Sequence, residues 1–321
     1  MNDQTHNDKA GKTDFDSIYN REDPRAYFRT LAPLKYSSPA HGKRIFLKCA
    51  EKITDIRGNA QIDIIDLCCG YGLNGALLKH DMELENLYDR YASEGTTTLA
   101  SEDLVEADQQ HFADAKPGMD VINDIVGIDV AENAVRYAEA VGFVDEGVAL
   151  NLEEDALPPR IATFAEFTDL ITVTGGMGYI SGETFKKVLD CAATDEMPWI
   201  VTFPLCSVPV DDFVETFEEY GLKVETWDDF AFPQRLYSSE TERTRMEAAI
   251  AAVGHMDPDE LDDNFVPSRL LIARPEADTR KVPLEELIPW DSAPRLKTPL
   301  RDAQLQPPKN PGPLRSTKLY C

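Results

Sequence analysis

From Gln61 to Arg274 the chain alternates short, continuous apolar runs with longer stretches whose apolar residues recur every three or four positions. The short runs are Ile62–Leu67, Ile125–Ile128, Val148–Leu152, Leu170–Val173, Trp199–Phe203, Leu222–Trp227 and Leu270–Ala273. Their length and β-branched content predict buried strands. The stretches between them predict amphipathic helices. Glu132–Val141 puts Ala134, Val135, Ala138 and Val141 on one face and stops at Gly142; Asp211–Tyr220 does the same with Phe213, Val214, Phe217 and Tyr220 and stops at Gly221. Ser239 with Glu242 forms a capping box opening a helix that ends before Gly254. Strands alternating with helices imply a parallel sheet covered on both faces, and seven strands fit a doubly wound α/β sheet.

Two excursions interrupt the alternation. Residues 79–119 separate the first two strands and read as helical, continuing a helix over Ala76–Ala92 and adding one over Glu102–Ala113. Residues 228–267 separate the last two strands. Ahead of the sheet, residues 1–18 read as a flexible leader. Residues 19–60 read as a Tyr-rich helical lid, broken at Pro24, Pro33 and Pro39. The domain with the sheet spans 61–274. Residues 275–321 hold nine of the 21 prolines, and after Ser292 carry Arg295, Lys297, Arg301, Lys309, Arg315 and Lys318 against one acid, Asp302. A basic, Pro-rich tail of this kind builds no core of its own.

Composition sharpens this picture. Hydrophobic residues at 42% supply a core for a 321-residue chain, and 58 acidic against 32 basic residues give a formal net charge of −26. Such a surface repels phosphate backbones and anionic lipid, which argues against nucleic-acid and membrane partners and suits a cationic or zwitterionic small molecule. The polar N-terminus has no apolar core of a signal peptide, and no apolar run approaches the roughly 20 residues of a membrane span. The six cysteines show no CxxC spacing and the five histidines are scattered, so the expectation is a reduced, cytoplasmic protein without a metal site.

The first strand ends in Asp66-Leu67-Cys68-Cys69-Gly70-Tyr71-Gly72-Leu73-Asn74-Gly75. Gly70, Gly72 and Gly75 spell GxGxxG, a tight turn feeding a helix whose N–H groups face a ligand. Two cofactor classes use this motif. A dinucleotide places pyrophosphate against the loop, where the Asp66 carboxylate is unwelcome; a ligand bearing an ammonium group, such as S-adenosylmethionine (SAM), welcomes it. The second strand ends in Val126-Gly127-Ile128-Asp129, an acid placed to accept hydrogen bonds from ribose hydroxyls or to cap the next helix. After the third strand, Asn151 and Asp155 are candidates for the exocyclic amine of adenine, with Leu152 packing on its ring.

This constellation resembles the class I SAM-dependent methyltransferases over Gln61–Arg274, about two-thirds of the chain. The resemblance rests on the acidic Gly-rich loop, the strand-end Asp129, the acidic turn at 151–155 and the seven strands in order. It implies a Rossmann-like sheet with an antiparallel last strand. It also implies SAM as cofactor, lying across the carboxyl ends of strands one to four and contacting Asp66, Gly70, Gly72, Asp129, Val130, Asn151, Leu152 and Asp155. Two features depart from the family pattern: Cys68 stands where the first of three glycines is usual, and a long insert follows the first helix.

The end of the fourth strand, where such enzymes bring acceptor and methyl group together, reads Thr172-Val173-Thr174-Gly175-Gly176-Met177-Gly178-Tyr179. It lacks an Asn-Pro-Pro-Tyr set and carries no His, Asp or Glu as a general base. Thr174 and Gly175 read as cofactor floor, with Tyr179 turning its π-face toward the sulfonium. Ser207, after the fifth strand, is a candidate polar contact, and Tyr19 a lid residue reaching the cofactor. The expected activity is methyl transfer to a small molecule with release of S-adenosylhomocysteine. Some enzymes of this fold instead cyclise SAM to azetidine-2-carboxylate and methylthioadenosine; here Tyr179, Ser207 and Asn151 would hold a bent methionine arm. A non-catalytic SAM-binding protein is the third reading, and a dehydrogenase the last.

Overall fold

A computed structural model describes residues 16–194, 196–227, 231–255 and 264–288. Most of the expected leader, parts of the second excursion and the tail beyond 288 lie outside the described residues. The seven-stranded sheet runs β3-β2-β1-β4-β5-β9-β6. Its strands are β1 (Ile62–Leu67), β2 (Ile122–Asp129), β3 (Glu146–Ala149), β4 (Leu170–Val173), β5 (Trp199–Thr202), β6 (Leu222–Thr226) and β9 (Leu271–Pro275). Five parallel strands, β1 to β5, meet β9, which is antiparallel to both β5 and β6. One apolar core lies on each face: Phe46, Cys49, Ile53, Ile64, Trp199 and Ile272 on one, Ile65, Ile171, Phe185, Ile200 and Phe217 on the other. This is a Rossmann-like α/β architecture, with the antiparallel member inserted between β5 and β6.

β4 and β5 are buried throughout and β1 at every position but Asp63, so their apolar runs locate them well. The edge strand β3 starts two residues earlier than expected and ends at Ala149. There Leu150 N–H donates to the Asp129 carbonyl, and Asn151 opens a turn by accepting from Glu154 and Asp155 N–H. The helix expected over Ala76–Ala92 is two helices, Leu73–Lys79 and Leu84–Ala92. It breaks because His80 pairs with Pro117 in an isolated bridge. The second excursion carries a two-stranded sheet as well as its helix: β7 (Phe232–Leu236) and β8 (Phe265–Ser268) flank Glu240–Val253. Arg269 N–H donates to Pro204 and Cys206 N–H to Pro267, seating this small sheet over the loop after β5. Beyond Pro275, where a tail was expected to begin, a helix (Glu276–Lys281) and a 3-10 turn (Leu284–Leu287) bury Val282, Leu284 and Leu287 on the body. No described helix is long and apolar enough to cross a membrane.

Of the N-terminal helices, Ser38–Arg57 runs along one face of the sheet, from Gly42 beside Thr174 after β4 to Arg57, which is paired with Asp169 just before β4, while Asp16–Tyr19 and Arg25–Leu31 precede it in the chain. The Tyr71 hydroxyl, in the loop after β1, is bonded to Arg21 N–H and to the carbonyls of Ile18 and Arg21. Asn20 Oδ1 accepts from Asn133 N–H at the start of the helix after β2. The N-terminal segment is thus fastened to both strand-end loops.

Candidate functional site

Register places the chemistry. Asp66 pairs with Gly127 on β2 and Thr172 on β4, so the last residues of three central strands emerge together. The loop that follows turns through three left-handed residues: Cys68 (φ +55°), Gly70 (φ +51°) and Gly72 (φ +74°). A Cβ on Gly70 would meet nothing within 4 Å, so this turn faces open space. A Cβ on Gly75 would lie 2.1 Å from the Phe143 carbonyl oxygen, so only glycine lets this helix pass the neighbouring loop. Cys68, in the glycine position of the pattern, adopts a conformation that costs an L-residue roughly 1 kcal/mol. Its Cβ and Sγ occupy the place of a Cβ on Gly176, 2.3 Å away, so the second strand-end loop gives up a side chain to admit it.

Asp66 is buried. Its Oδ1 accepts from Asn74 Nδ2 at 2.8 Å and Thr172 Oγ1 at 2.6 Å, while its Oδ2 is buried without a partner. Burial pushes the carboxyl up to about 7, opposed by those two hydrogen bonds. Asp129 is held differently: Oδ2 accepts from Gly70 N–H and Oδ1 from Ala131 N–H, both at 2.9 Å. Burial raises its pKa too, and the backbone amides oppose the rise. With the Val130 amide also turned to this carboxylate, lone-pair capacity still remains for a further donor.

The other sequence-predicted residues distribute around this pair. Val130, following Asp129, is 69% exposed and offers an apolar surface beside the acid. Leu152 is buried, while Asn151 spends Oδ1 on Glu153 N–H and Asp155 is exposed in the same turn. Thr174 is buried and donates to Asn74 Oδ1 at 3.3 Å. Tyr19 stacks edgewise on Tyr27 at 5.4 Å. Burial drives its hydroxyl well above the usual tyrosine range, and Tyr36, Tyr179 and Asp129 are near enough to push the same way. Tyr179 is 38% exposed, and its N–H donates to the Gly176 carbonyl. Ser207 is buried beside Val208, whose side chain approaches Gly178.

Two residues of this site escaped the sequence reading. Asn74 sits inside the GxGxxG motif as one of its variable positions, and only its contact with Asp66 marks it. Tyr36 comes from the lead-in: its hydroxyl lies 3.2 Å from the place of a Cβ on Gly175. Burial pushes that hydroxyl up to about 12. Repeated tyrosines in the lead-in were the available signal, but nothing in the pattern distinguishes Tyr36 from Tyr19. His41 also faces inward, bonded through Nε2 to the Pro233 carbonyl, and burial lowers it to about 4. Among the described residues no group of three His, Cys, Asp or Glu is arranged to hold a metal.

No family model matches the sequence, and neither does any curated protein. Among solved structures, the chain is similar to the precorrin-6y C5,15-methyltransferase of Geobacter metallireducens GS-15 (13% identity, covering 70% of this chain and 87% of that one, TM-score 0.33). It is also similar to the magnesium protoporphyrin IX methyltransferase of Synechocystis PCC 6803, solved with bound SAM (11% identity, 73% and 83% covered, TM-score 0.32). A third is the plantazolicin methyltransferase BpumL in complex with SAH (12% identity, 85% and 97% covered, TM-score 0.36).

Proposed function

We propose that this chain binds SAM across the carboxyl ends of β1, β2 and β4 and catalyses displacement at its sulfonium, transferring the methyl group to a small-molecule acceptor with release of S-adenosylhomocysteine. The observation that carries this reading is the pair of buried strand-end carboxylates, Asp66 and Asp129, on either side of a loop that is open at Gly70. The residues present fit the group. Asp66 carries a buried oxygen without a partner, which an ammonium beside the loop would compensate electrostatically. Asp129 retains lone-pair capacity for a ribose hydroxyl. Val130 and Leu152 offer apolar surface for the adenine, with Asn151 and Asp155 in the turn near its edge. Thr174 and Gly175 form the floor, and Tyr19, Tyr179 and Ser207 wall the reacting end.

When bound, SAM supplies an electrophilic carbon on a cationic sulfur, so orientation and exclusion of water carry much of the rate enhancement. The N-terminal segment, fastened by Tyr71 and by Asn20, serves that exclusion.

One observation favours a second reading, cyclisation of SAM itself. Tyr36 and Tyr19, from the N-terminal segment, occupy the ground beside Gly175 where an external acceptor would stand. A nucleophile already inside the site, the α-amine of the methionine arm, needs no such room. Loss of one proton from the α-ammonium to water frees a lone pair for the γ-carbon. The bond from that carbon to sulfur breaks with its electrons on sulfur, giving azetidine-2-carboxylate and methylthioadenosine. Tyr179, Ser207 and Asn151 would hold the arm bent.

Incubation of the purified protein with SAM alone, followed by mass spectrometry of the nucleosides, separates these readings. Methylthioadenosine above the uncatalysed background is the expected outcome of cyclisation. Unchanged but bound SAM, converted to S-adenosylhomocysteine once a small amine, acid or hydroxyl compound is added, is the outcome of methyl transfer. Tight binding with neither product across such a panel would leave a non-catalytic SAM-binding protein. Failure to bind SAM at millimolar concentration would overturn all three.

A further inference from the structure

The small sheet of the second excursion breaks its ladder at one residue. β7 and β8 pair at Phe232↔Ser268, Pro233↔Pro267, Arg235↔Val266 and Leu236↔Phe265, which leaves Gln234 as the extra residue of a bulge, a feature that re-aims side chains beside many active sites. The bulge is tied to the start of the helix Ser38–Arg57. Ser37 donates its N–H to the Gln234 carbonyl and its hydroxyl to the Pro233 carbonyl, both at 2.7 Å, and His41 Nε2 bonds the Pro233 carbonyl at 3.0 Å. The same stretch reaches the floor of the candidate site. A Cβ on Gly42 would lie 2.8 Å from Thr174 Cγ2, and the hydroxyl of Tyr36, the residue before Ser37, lies 3.2 Å from the place of a Cβ on Gly175. A single helical turn and the loop before it therefore join the bulge to the end of β4.

The residues on either side of Gln234 are committed. Phe232 packs its ring on those of His41 and Phe203, at 5.4 and 5.3 Å, and Arg235 forms a bidentate pair with Glu242. Gln234 itself is 1% exposed, and its amide oxygen is buried without a partner. His41 supplies no donor to it: burial holds the ring neutral, lowered to about 4, and its one N–H is spent on the Pro233 carbonyl. A buried amide oxygen in this state lowers stability, and an apolar side chain of the same length would not. The fold retains a cost at this position that a ligand bearing a hydrogen-bond donor would remove.

We propose that the Gln234 amide oxygen accepts a hydrogen bond from the nucleophile of the reaction, and that this nucleophile is an amine. This rests on the SAM-binding reading of the site. An amide oxygen orients an N–H or O–H but does not take its proton at neutral pH, so it suits a nucleophile that attacks with its proton in place. A neutral amine does so, once its ammonium form has lost one proton to water. Its lone pair forms the bond to carbon, the carbon–sulfur bond breaks with its electrons on sulfur, and the nitrogen becomes an ammonium that still holds its N–H toward Gln234. That hydrogen bond becomes charge-assisted as the new bond forms, so it is stronger in the transition state than in the ground state. An alcohol needs a base to remove its proton, and Thr172 to Tyr179 at the end of β4 include no His, Asp or Glu. A carboxylate has no proton to donate. Two sources share the amine chemistry, a small external amine and the α-amine of SAM's own methionine arm.

Products formed at saturating SAM, read by mass spectrometry, separate the two sources. SAM alone yields methylthioadenosine if the amine is its own; SAM with a panel of small amines yields S-adenosylhomocysteine and an N-methylated amine. Matched alcohols and carboxylates complete the panel. The proteins are the wild type, Gln234→Met, and Gln234→Glu, which keeps an accepting oxygen. Gln234→Met is expected to lower kcat about tenfold, the loss appropriate to one charge-assisted hydrogen bond. It is expected to leave the dissociation constant of sinefungin, an unreactive analogue with an ammonium in place of the sulfonium, within about threefold, and to unfold in urea at no lower concentration than the wild type. Gln234→Glu is expected to keep kcat within about threefold. A Gln234→Met kcat within about threefold of the wild type overturns the proposal, as does a Gln234→Glu as slow as Gln234→Met. A lower urea midpoint for Gln234→Met makes the amide part of the fold, and a sinefungin affinity that falls in step with kcat makes it a cofactor contact; either overturns the proposal. Turnover of alcohols or carboxylates without turnover of either amine overturns it as well. A wild type that binds sinefungin and forms no product overturns this proposal and leaves the SAM-binding reading standing, whereas one that binds neither SAM nor sinefungin overturns both.

Discussion

At the scale of single residues, Asp66 is the group whose environment and sequence position agree most closely. A strand-end acid four residues before a glycine turn is visible in the sequence, and in the structure one of its oxygens accepts two hydrogen bonds while the other is buried without a partner. The carboxyl is pushed up to about 7 by burial. The folded protein therefore holds a proton there that the unfolded chain has already released. Stability from this group is full at low pH and declines as pH rises from near 4 to near 7, by at most about 4 kcal/mol. Asp66→Asn removes the titration. In urea melts at pH 5 and pH 8, the wild type is expected to lose stability relative to the variant on going to pH 8; parallel curves would show that Asp66 is ionised throughout. His41, held near 4 by burial, acts in the opposite sense, since its contribution is full above 6.5 and falls as pH drops toward 4. Comparing wild type with Asp66→Asn isolates the carboxylate from it. Other single-residue features were not legible. That Gly176 yields space to Cys68 depends on two loops after β1 and β4, and no local pattern couples them.

At the scale of elements, the central strands and the helices after β2 and β5 follow from periodicity, because each buries a full face and shows it in every turn. The misread elements are those fixed by distant partners. The break at His80 comes from its bridge to Pro117, and β7 and β8 carry Pro233 and Pro267, which disguise them as loop. The N-terminal segment was legible as a Tyr-rich helical lead-in, but its fastening was not, since Tyr71 lies within the glycine loop and carries no mark of pairing with Ile18 and Arg21. That fastening has a measurable strength. Tyr71→Phe removes the hydroxyl and keeps the ring, whose edge contact with Tyr27 lies at 5.8 Å. Loss of about 1 kcal/mol from this anchor predicts roughly fivefold faster amide exchange at Arg21 and its neighbours, with the sheet amides unchanged. Equal exchange in the two proteins would mean that Asn20 and the aromatic packing fasten the segment without Tyr71.

At the scale of the whole molecule, charge and site chemistry point the same way. The fold class was readable from the alternation of elements, and the candidate cofactor from two acids and three glycines. The inserts defeated sequence reading because their role is collective: residues from both clamp the Tyr36 loop that neither contains. The net charge of −26 spreads over the entire chain and surrounds a site with two carboxylates of its own. A diffuse field of that sign attracts SAM, which carries one net positive charge, and is indifferent to S-adenosylhomocysteine, which carries none. Ionic strength separates this long-range attraction from the short-range contacts: the Debye length shrinks from about 30 Å at 0.01 M salt to about 8 Å at 0.15 M, while buried contacts are screened far less. Stopped-flow binding is therefore expected to show an association rate for sinefungin that falls several-fold over that range, on the order of threefold or more, with its dissociation rate nearly constant. The rate for S-adenosylhomocysteine should stay flat. If both ligands slow together, salt acts on the lid and not on the ligand's charge. If neither slows, the acidity of the surface serves the protein's solubility alone, and selection for the cation resides entirely within the site.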